Sequence, residues 1–329
     1  MDTTKNLQQQ KKPFDFMKWL KSRKGQQMVV IITFMFVPLL LLAVFTYFPF
    51  VEMFKFSFYK MKYIGDREYV GLDNYKQVFE RKDCFSALKL SLYYMGGSVV
   101  QLSLALYFAT LLSFKTKLGN FFKGTMFFPF LINGIAIGFI FKFFYTRGFV
   151  FDTVLQWCGF NLDHLPYWLQ NQSINNISLV GASIWRYFGQ NMVLFIGAIM
   201  SVDAQMYEAA ELDGANKCQQ FKYIIMPSIK TIIVLNMILS ITGSLSSFEI
   251  PFVVTGGNNG TGTYFVIMNK IAHVTQKVGL ASAMAIVLLA IILVATLLQK
   301  LFFKYFFNDG TEDNAKVKKS RKKNLEGAN

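Results

Sequence analysis

The chain has 329 residues, 53% of them hydrophobic and only 16% charged, with a formal net charge of +15. So small a charged fraction, with the apolar residues gathered in blocks, excludes an ordinary soluble domain. The positive charge sits mostly at the two ends beside apolar runs, which fits an anionic membrane leaflet better than a nucleic-acid face. Three cysteines in no CxxC spacing and two histidines give no pattern for a disulfide scaffold or a metal site.

Residues 1–27 form a basic tail. Within it, "PFDFMKWLKSRK" interleaves Phe14, Met17, Trp19 and Leu20 with Lys18, Lys21, Arg23 and Lys24. It reads either as a short helix on the membrane surface or as a solvated tail that only sets topology. Six apolar stretches follow, near 29–50, 90–112, 121–145, 177–200, 224–248 and 280–303. Each has the length of about 20 residues that a membrane-spanning helix needs. The first is too long an apolar run, after too long a polar tail, to be a cleaved signal peptide. The fold class expected is therefore an all-α integral membrane protein with six transmembrane helices over 28–305. Residues 306–329, including "NAKVKKSRKKNLEGAN", have few apolar residues and are expected to be disordered.

Placing both termini in the cytoplasm puts 20 Lys/Arg in the inside segments and 11 in the outside ones. That bias sets the orientation. It makes the polar stretch 203–227, "DAQMYEAAELDGANKCQQFKYIIMP", cytoplasmic. The stretch predicts a helix from an Asp203 N-cap, a turn at Asp213-Gly214, and a second helix leading to Pro227.

The order of residues in this loop resembles the EAA motif of ABC-importer permeases. The matching positions are Glu208, Ala209, Ala210, Asp213, Gly214, Ala215, Phe221, Ile224 or Ile225, and Pro227. Further along the chain, "VPLLLLAVFTYFPFVEMFKFSFY", "VGLDNYKQVF" at 70–79 and "FEIPFVVTGGNNGTGTY" are similar to segments of the carbohydrate-uptake permeases. "ALKLSL" at 87–92, Phe139 and the long tails depart from the usual pattern. The resemblance implies a type I importer permease in the bacterial cytoplasmic membrane, with the EAA loop as the coupling helix that docks on a separate ATPase. The implied partners are a second homologous permease, an ATPase dimer that holds ATP and Mg, an extracellular solute-binding lipoprotein, membrane lipid and a sugar, with no nucleic acid. No cofactor is expected in this chain.

No GxxxxGK[ST] occurs, and "GGNNGTGT" at 256–263 lacks the lysine of a phosphate loop, so it reads as a flexible outer loop facing the delivery protein. No nucleophile elbow, HExxH or paired intramembrane acids appear, which argues against an enzyme. An ion-coupled secondary transporter is the alternative, and a scaffold protein a third; the first of these calls for several intramembrane carboxylates.

The family likeness carries a substrate pathway onto "WRYFGQN" and "SLSSFE". The residues are Arg186, Tyr187, Phe188, Gln190 and Asn191, with Ser244, Ser247 and Glu249. Aromatic faces stack on sugar rings and amides or hydroxyls bond their hydroxyl groups. Arg186 reads an acidic sugar, or pairs with Glu249, or bonds neighbouring carbonyls. The serines have a second reading as helix-packing residues.

Overall fold

The computed structural model describes Met17 and residues 22–114 and 117–306. The expected surface helix over most of 13–24 and the tail from 307 lie outside these residues. The chain divides into two units, Met1–Phe56 and Ser57–Asn329.

The first unit is one helix, α1 (Arg23–Phe56, 34 residues), with mean hydropathy 2.9 in its most apolar window. Ser22 caps it by accepting from the Gly25 amide at 3.1 Å. It is apolar on every side, as a helix solvated by lipid must be. A π-helical turn at Ala43–Tyr47 interrupts the regular ladder.

The second unit begins with a short antiparallel hairpin, β1 (Tyr59–Lys60) and β2 (Glu68–Tyr69), followed by α2 (Asp73–Glu80). Asn74 fastens the helix to the hairpin by donating to the carbonyls of Ser57 and Tyr59 at 2.8 and 3.0 Å. The long helix α3 (Lys82–Ser113) buries Gly97, Leu102, Ala105, Ala109 and Leu112 along one stripe. The glycine and alanines among them let α3 lie tightly on α7 (Asn175–Met200); a Cβ on Gly97 would overlap Val180 Cγ1.

Residues 121–145 are expected to make one span, and the structure breaks it. α4 (Gly119–Leu131) and α5 (Gly134–Tyr145) meet at 97°. The cause is local. Ile132 is extended, and the Asn133 side chain accepts from the Ile135 amide at 2.9 Å and so starts a new helix. A short helix, α6 (Val150–Trp157), is held by Asp152. That carboxylate is fully buried and accepts from the Gly148 amide and Trp168 Nε1, both at 2.7 Å.

After α7 the chain turns by 72° into α8 (Ala204–Leu212). It then passes through α9 (Lys217–Gln220), a π-helical turn at Phe221–Ile225 and α10 (Met226–Ser228) into α11 (Lys230–Leu245). The fifth span therefore starts later than the apolar run suggests. It also continues past a break at 246–248 into α12 (Glu249–Thr255). α13 (Tyr264–Asn269) and α14 (Val278–Phe306) complete the chain. Among the described residues, four helices have the length and apolarity to cross a membrane, and up to six spans result if each bent pair counts as one. The core runs in three patches: Tyr264 with Met284, Ile137 with Leu179 and Ile250, and Met192 with Phe195, Ile225 and Ile229.

The Gly-rich segment expected to be flexible is instead a bonded turn. Asn175 and Asn176, at the start of α7, donate to the carbonyls of Asn259 and Gly260 at 2.7 and 3.3 Å. Thr255 and Thr261 hydroxyls meet at 2.6 Å, and Thr261 is fully buried. Gly256, Gly257 and Gly260 take positive φ, which a tight reversal requires.

Candidate functional site

Three helices enclose a cavity of about 660 Å³. From α3 come Tyr94, Ser98 and Gln101; from α7, Ser183, Arg186, Tyr187, Gln190 and Asn191; from α11 and the break after it, Asn236, Ser240, Ser244 and Ser247; and from the start of α12, Glu249. In membrane-crossing helices such polar groups are costly in lipid, and a shared cavity is where they can stay wet. The structure thus brings together seven of the eight residues expected on the substrate pathway. Phe188 is not among them: it points the other way, into the core, edge-on to Phe108 at 5.5 Å between ring centres.

Arg186 and Glu249 form an ion pair. The pair sits against Gly134, the first residue of α5, where a Cβ would overlap both Glu249 Oε2 and Arg186 Nη1. The break between α4 and α5, the start of α12 and the middle of α7 therefore converge on this pair. The Arg186 guanidinium also lies over the Tyr187 ring, 4.9 Å from its centre. Glu249 does not end a span, as its place in "SLSSFE" suggests; it opens α12, beyond the break in the fifth span.

The serines divide by their bonds. Ser244 donates to the Ser240 carbonyl at 2.7 Å, so its hydroxyl satisfies the helix and retains only acceptor capacity toward the cavity. Asn236 likewise donates to the Ile232 carbonyl at 2.9 Å. The Ser247 carbonyl accepts from Thr263 at 2.6 Å.

Sequence reasoning missed the α3 wall and the α11 positions before Ser244. The signal was present. Tyr94, Ser98 and Gln101 recur at steps of four and three, as do Asn236, Ser240 and Ser244 at steps of four, so each set makes a polar stripe on an apolar helix.

The second candidate surface is the polar loop. α8 starts at Asp203, whose side chain accepts from the Gln205 amide at 3.0 Å. It ends in a Schellman turn: Gly214 N donates to Glu211 O at 3.1 Å and Ala215 N to Ala210 O at 2.8 Å, with Gly214 at φ +76°. A capping box between Asn216 and Gln219 then opens α9. The arms are tied by Lys217 Nζ donating to Glu211 Oε1 at 2.6 Å, which holds the Glu211 carboxyl below its usual range. Glu208, Ala209, Asp213, Gly214 and Pro227 are exposed and Ala210 and Ala215 half-buried. Leu212, at the tip, is 90% exposed, so the loop presents an apolar residue ringed by acids.

Residues 101–306 match the family described as "Binding-protein-dependent transport system inner membrane component". The chain is 32% identical over 283 residues to the probable ABC transporter permease protein YurN of Bacillus subtilis, covering 83% of this chain and 96% of YurN. It is 30% identical over 264 residues to the arabinooligosaccharides transport system permease protein AraP of the same organism, covering 78% of this chain and 82% of AraP. The multiple sugar-binding transport system permease protein MsmF of Streptococcus mutans is 28% identical over 282 residues, 83% of this chain and 95% of MsmF. The fold is similar to that of a chain in a bacterial ABC transporter involved in the import of the acidic polysaccharide alginate, with a TM-score of 0.74 at 18% identity over 85% of this chain and 96% of that one. The expectations of an ion-coupled transporter or a scaffold give way to these matches. With its spans, its central polar cavity and its EAA loop accounted for, the chain belongs to the binding-protein-dependent transport system inner membrane components, as a multi-pass permease subunit of an ABC transporter and not an enzyme.

Proposed function

We propose that this permease forms half of the translocation pathway of a sugar importer, with an oligosaccharide as cargo, and that the cavity between α3, α7 and α11 is its sugar site. The observation that carries this reading is the lining. Amides and hydroxyls from three helices face a common space, with Tyr187 as an aromatic face. Sugars are recognised by such polar groups beside rings. The names of the relatives AraP and MsmF, an arabinooligosaccharide and a multiple-sugar system, support the class. Phe188 is not part of the proposed site, being packed into the core.

In the complex, the exposed loop 203–227 docks on an ATPase dimer that holds ATP and Mg, with Leu212 entering an apolar groove and Glu208 and Asp213 meeting basic groups. Ala209 and Ala210 permit close approach, and the Schellman turn fixes the angle between the arms. A second, homologous permease completes the pathway, and a solute-binding lipoprotein delivers the sugar from outside. Both termini are cytoplasmic, as the Lys/Arg bias favours.

Alanine at both Tyr187 and Asn191 is expected to lower uptake about tenfold or more, or to change the preferred sugar, while the complex assembles and hydrolyses ATP. Unchanged uptake and selectivity in assembled complexes would place the site elsewhere. The orientation has its own test. Cys218 and Cys158 are exposed and Cys84 is buried. An impermeant thiol reagent is expected to label Cys158 in intact cells and Cys218 only in inverted vesicles, with Cys84 silent in both. Labelling of Cys218 from outside would reverse the topology and remove the docking role.

A further inference from the structure

Resting on the sugar reading of the cavity, we infer that the Arg186–Glu249 pair is a charge filter that admits neutral oligosaccharides and turns away acidic ones. Of the residues lining the cavity, Arg186 and Glu249 alone carry formal charge; the rest of the wall is amide, hydroxyl, aromatic or aliphatic. The two charges are joined to each other. Among the described residues the wall is therefore net neutral, and its one cation, the guanidinium, already bonds Glu249 through Nη1.

The exposures are unequal. The Arg186 side chain is 12% exposed and that of Glu249 43%. To an anion in the cavity the carboxylate is the more accessible of the two charges. Juxtaposed like charges suppress a wrong partner more strongly than neutral groups can. A neutral sugar pays no such penalty and still finds Gln190, Asn191 and the Gln101 amide.

The fold maintains the pair. Gly134 leaves the space that Glu249 Oε2 and Arg186 Nη1 occupy, and the Tyr187 ring covers the guanidinium from one side. Arg186 Nε has no hydrogen-bond partner among the described residues, so what holds the arginine is this packing and its bond to Glu249. The arginine thus has little freedom to swing toward a ligand while Glu249 is present. Glu249 is a specificity-determining residue on this view because it silences Arg186.

The test uses the assembled complex with its partner permease and ATPase, purified in detergent without the binding protein, so that the permease cavity alone selects. Equilibrium binding is measured for three neutral trisaccharides (arabinotriose, maltotriose and raffinose) and for trigalacturonate. The wild-type complex is expected to bind at least one neutral trisaccharide at least about tenfold more tightly than trigalacturonate. Glu249→Gln, nearly isosteric, is expected to narrow that ratio by about tenfold or more, because Arg186 is then uncompensated. The double variant Arg186→Gln/Glu249→Gln is expected to lose this gain. A structural role for the pair would lower all affinities together and leave the ratio unmoved. Two results overturn the filter alone: trigalacturonate binding the wild type as tightly as the neutral sugars, or an unchanged ratio in assembled Glu249→Gln. If neither class binds the wild type, the sugar reading falls and the filter with it. If Glu249→Gln does not assemble, the wild-type ratio decides by itself.

Discussion

Gly189→Val is expected to leave almost no assembled protein in the membrane. Gly189 lies where α7 crosses α4, and a Cβ there would overlap the Met126 carbonyl oxygen and stand 2.7 Å from Phe127 Cα. Overpacking a core costs about 1–3 kcal/mol when side chains can shift. Here the obstacle is backbone, so the helices must separate. That separation would move the cavity wall, because Tyr187, Gln190 and Asn191 flank the crossing. Gly197, eight residues along the same helix, has nothing within 4 Å of its added Cβ. Gly197→Val is therefore the control, expected to accumulate and melt within a few degrees of wild type. Yield and Tm by fluorescence-detected size exclusion decide between them. A Gly189→Val protein of wild-type Tm would mean that α4 and α7 do not cross as described.

Gly214→Val is expected to abolish uptake while leaving the permease in the membrane. The residue stands at φ +76° with open space around its Cα. Bulk is thus no obstacle, and the effect comes from backbone strain. A residue with a Cβ pays roughly 1–2 kcal/mol in the left-handed region, and a β-branched one more. The Schellman bonds to Glu211 and Ala210 would open, and the angle between α8 and α9 would relax. Asparagine tolerates this conformation, so Gly214→Asn is expected to retain most uptake. The readouts are uptake, and ATPase stimulation by the loaded binding protein in the purified complex. If valine transports normally, or if valine and asparagine fail alike, the proposal that turn geometry carries coupling is wrong.

The six apolar runs were legible because lipid demands a continuous apolar surface of fixed length, and composition records that demand directly. The polar loop was legible for a different reason: its caps are local, so Asp203, Gly214 and the small residues carry their roles in the sequence itself. The break at Ile132–Asn133 was hidden. Asn133 is a good N-cap, but inside an apolar run its polarity looks like a single intramembrane amide. The pinned Gly-rich turn was hidden too, since composition gives the glycines' freedom and not the carbonyl bonds to Asn175 and Asn176, 84 residues away in each pair. At the cavity, Arg186 and Glu249 were legible as a charge and its nearest acid. The turn of Phe188 into the core was not: aromatic residues beside a polar site serve core and ligand alike, and only helix rotation separates Phe188 from Tyr187.

The bonds from Asn175 and Asn176 to the Gly-rich turn make α7 a strut clamped at one end, while its other end runs through a short bend into α8. At 1.5 Å per residue its 26 residues span about 39 Å. Displacement of either end is carried by one stiff rod that passes the cavity on the way. Any coupling between the two ends is reciprocal: the free energy by which one position of the turn favours a position of α8 equals that by which this position of α8 favours the turn. A message between the two ends of the permease would travel along the strut whether or not the chamber beside it holds cargo.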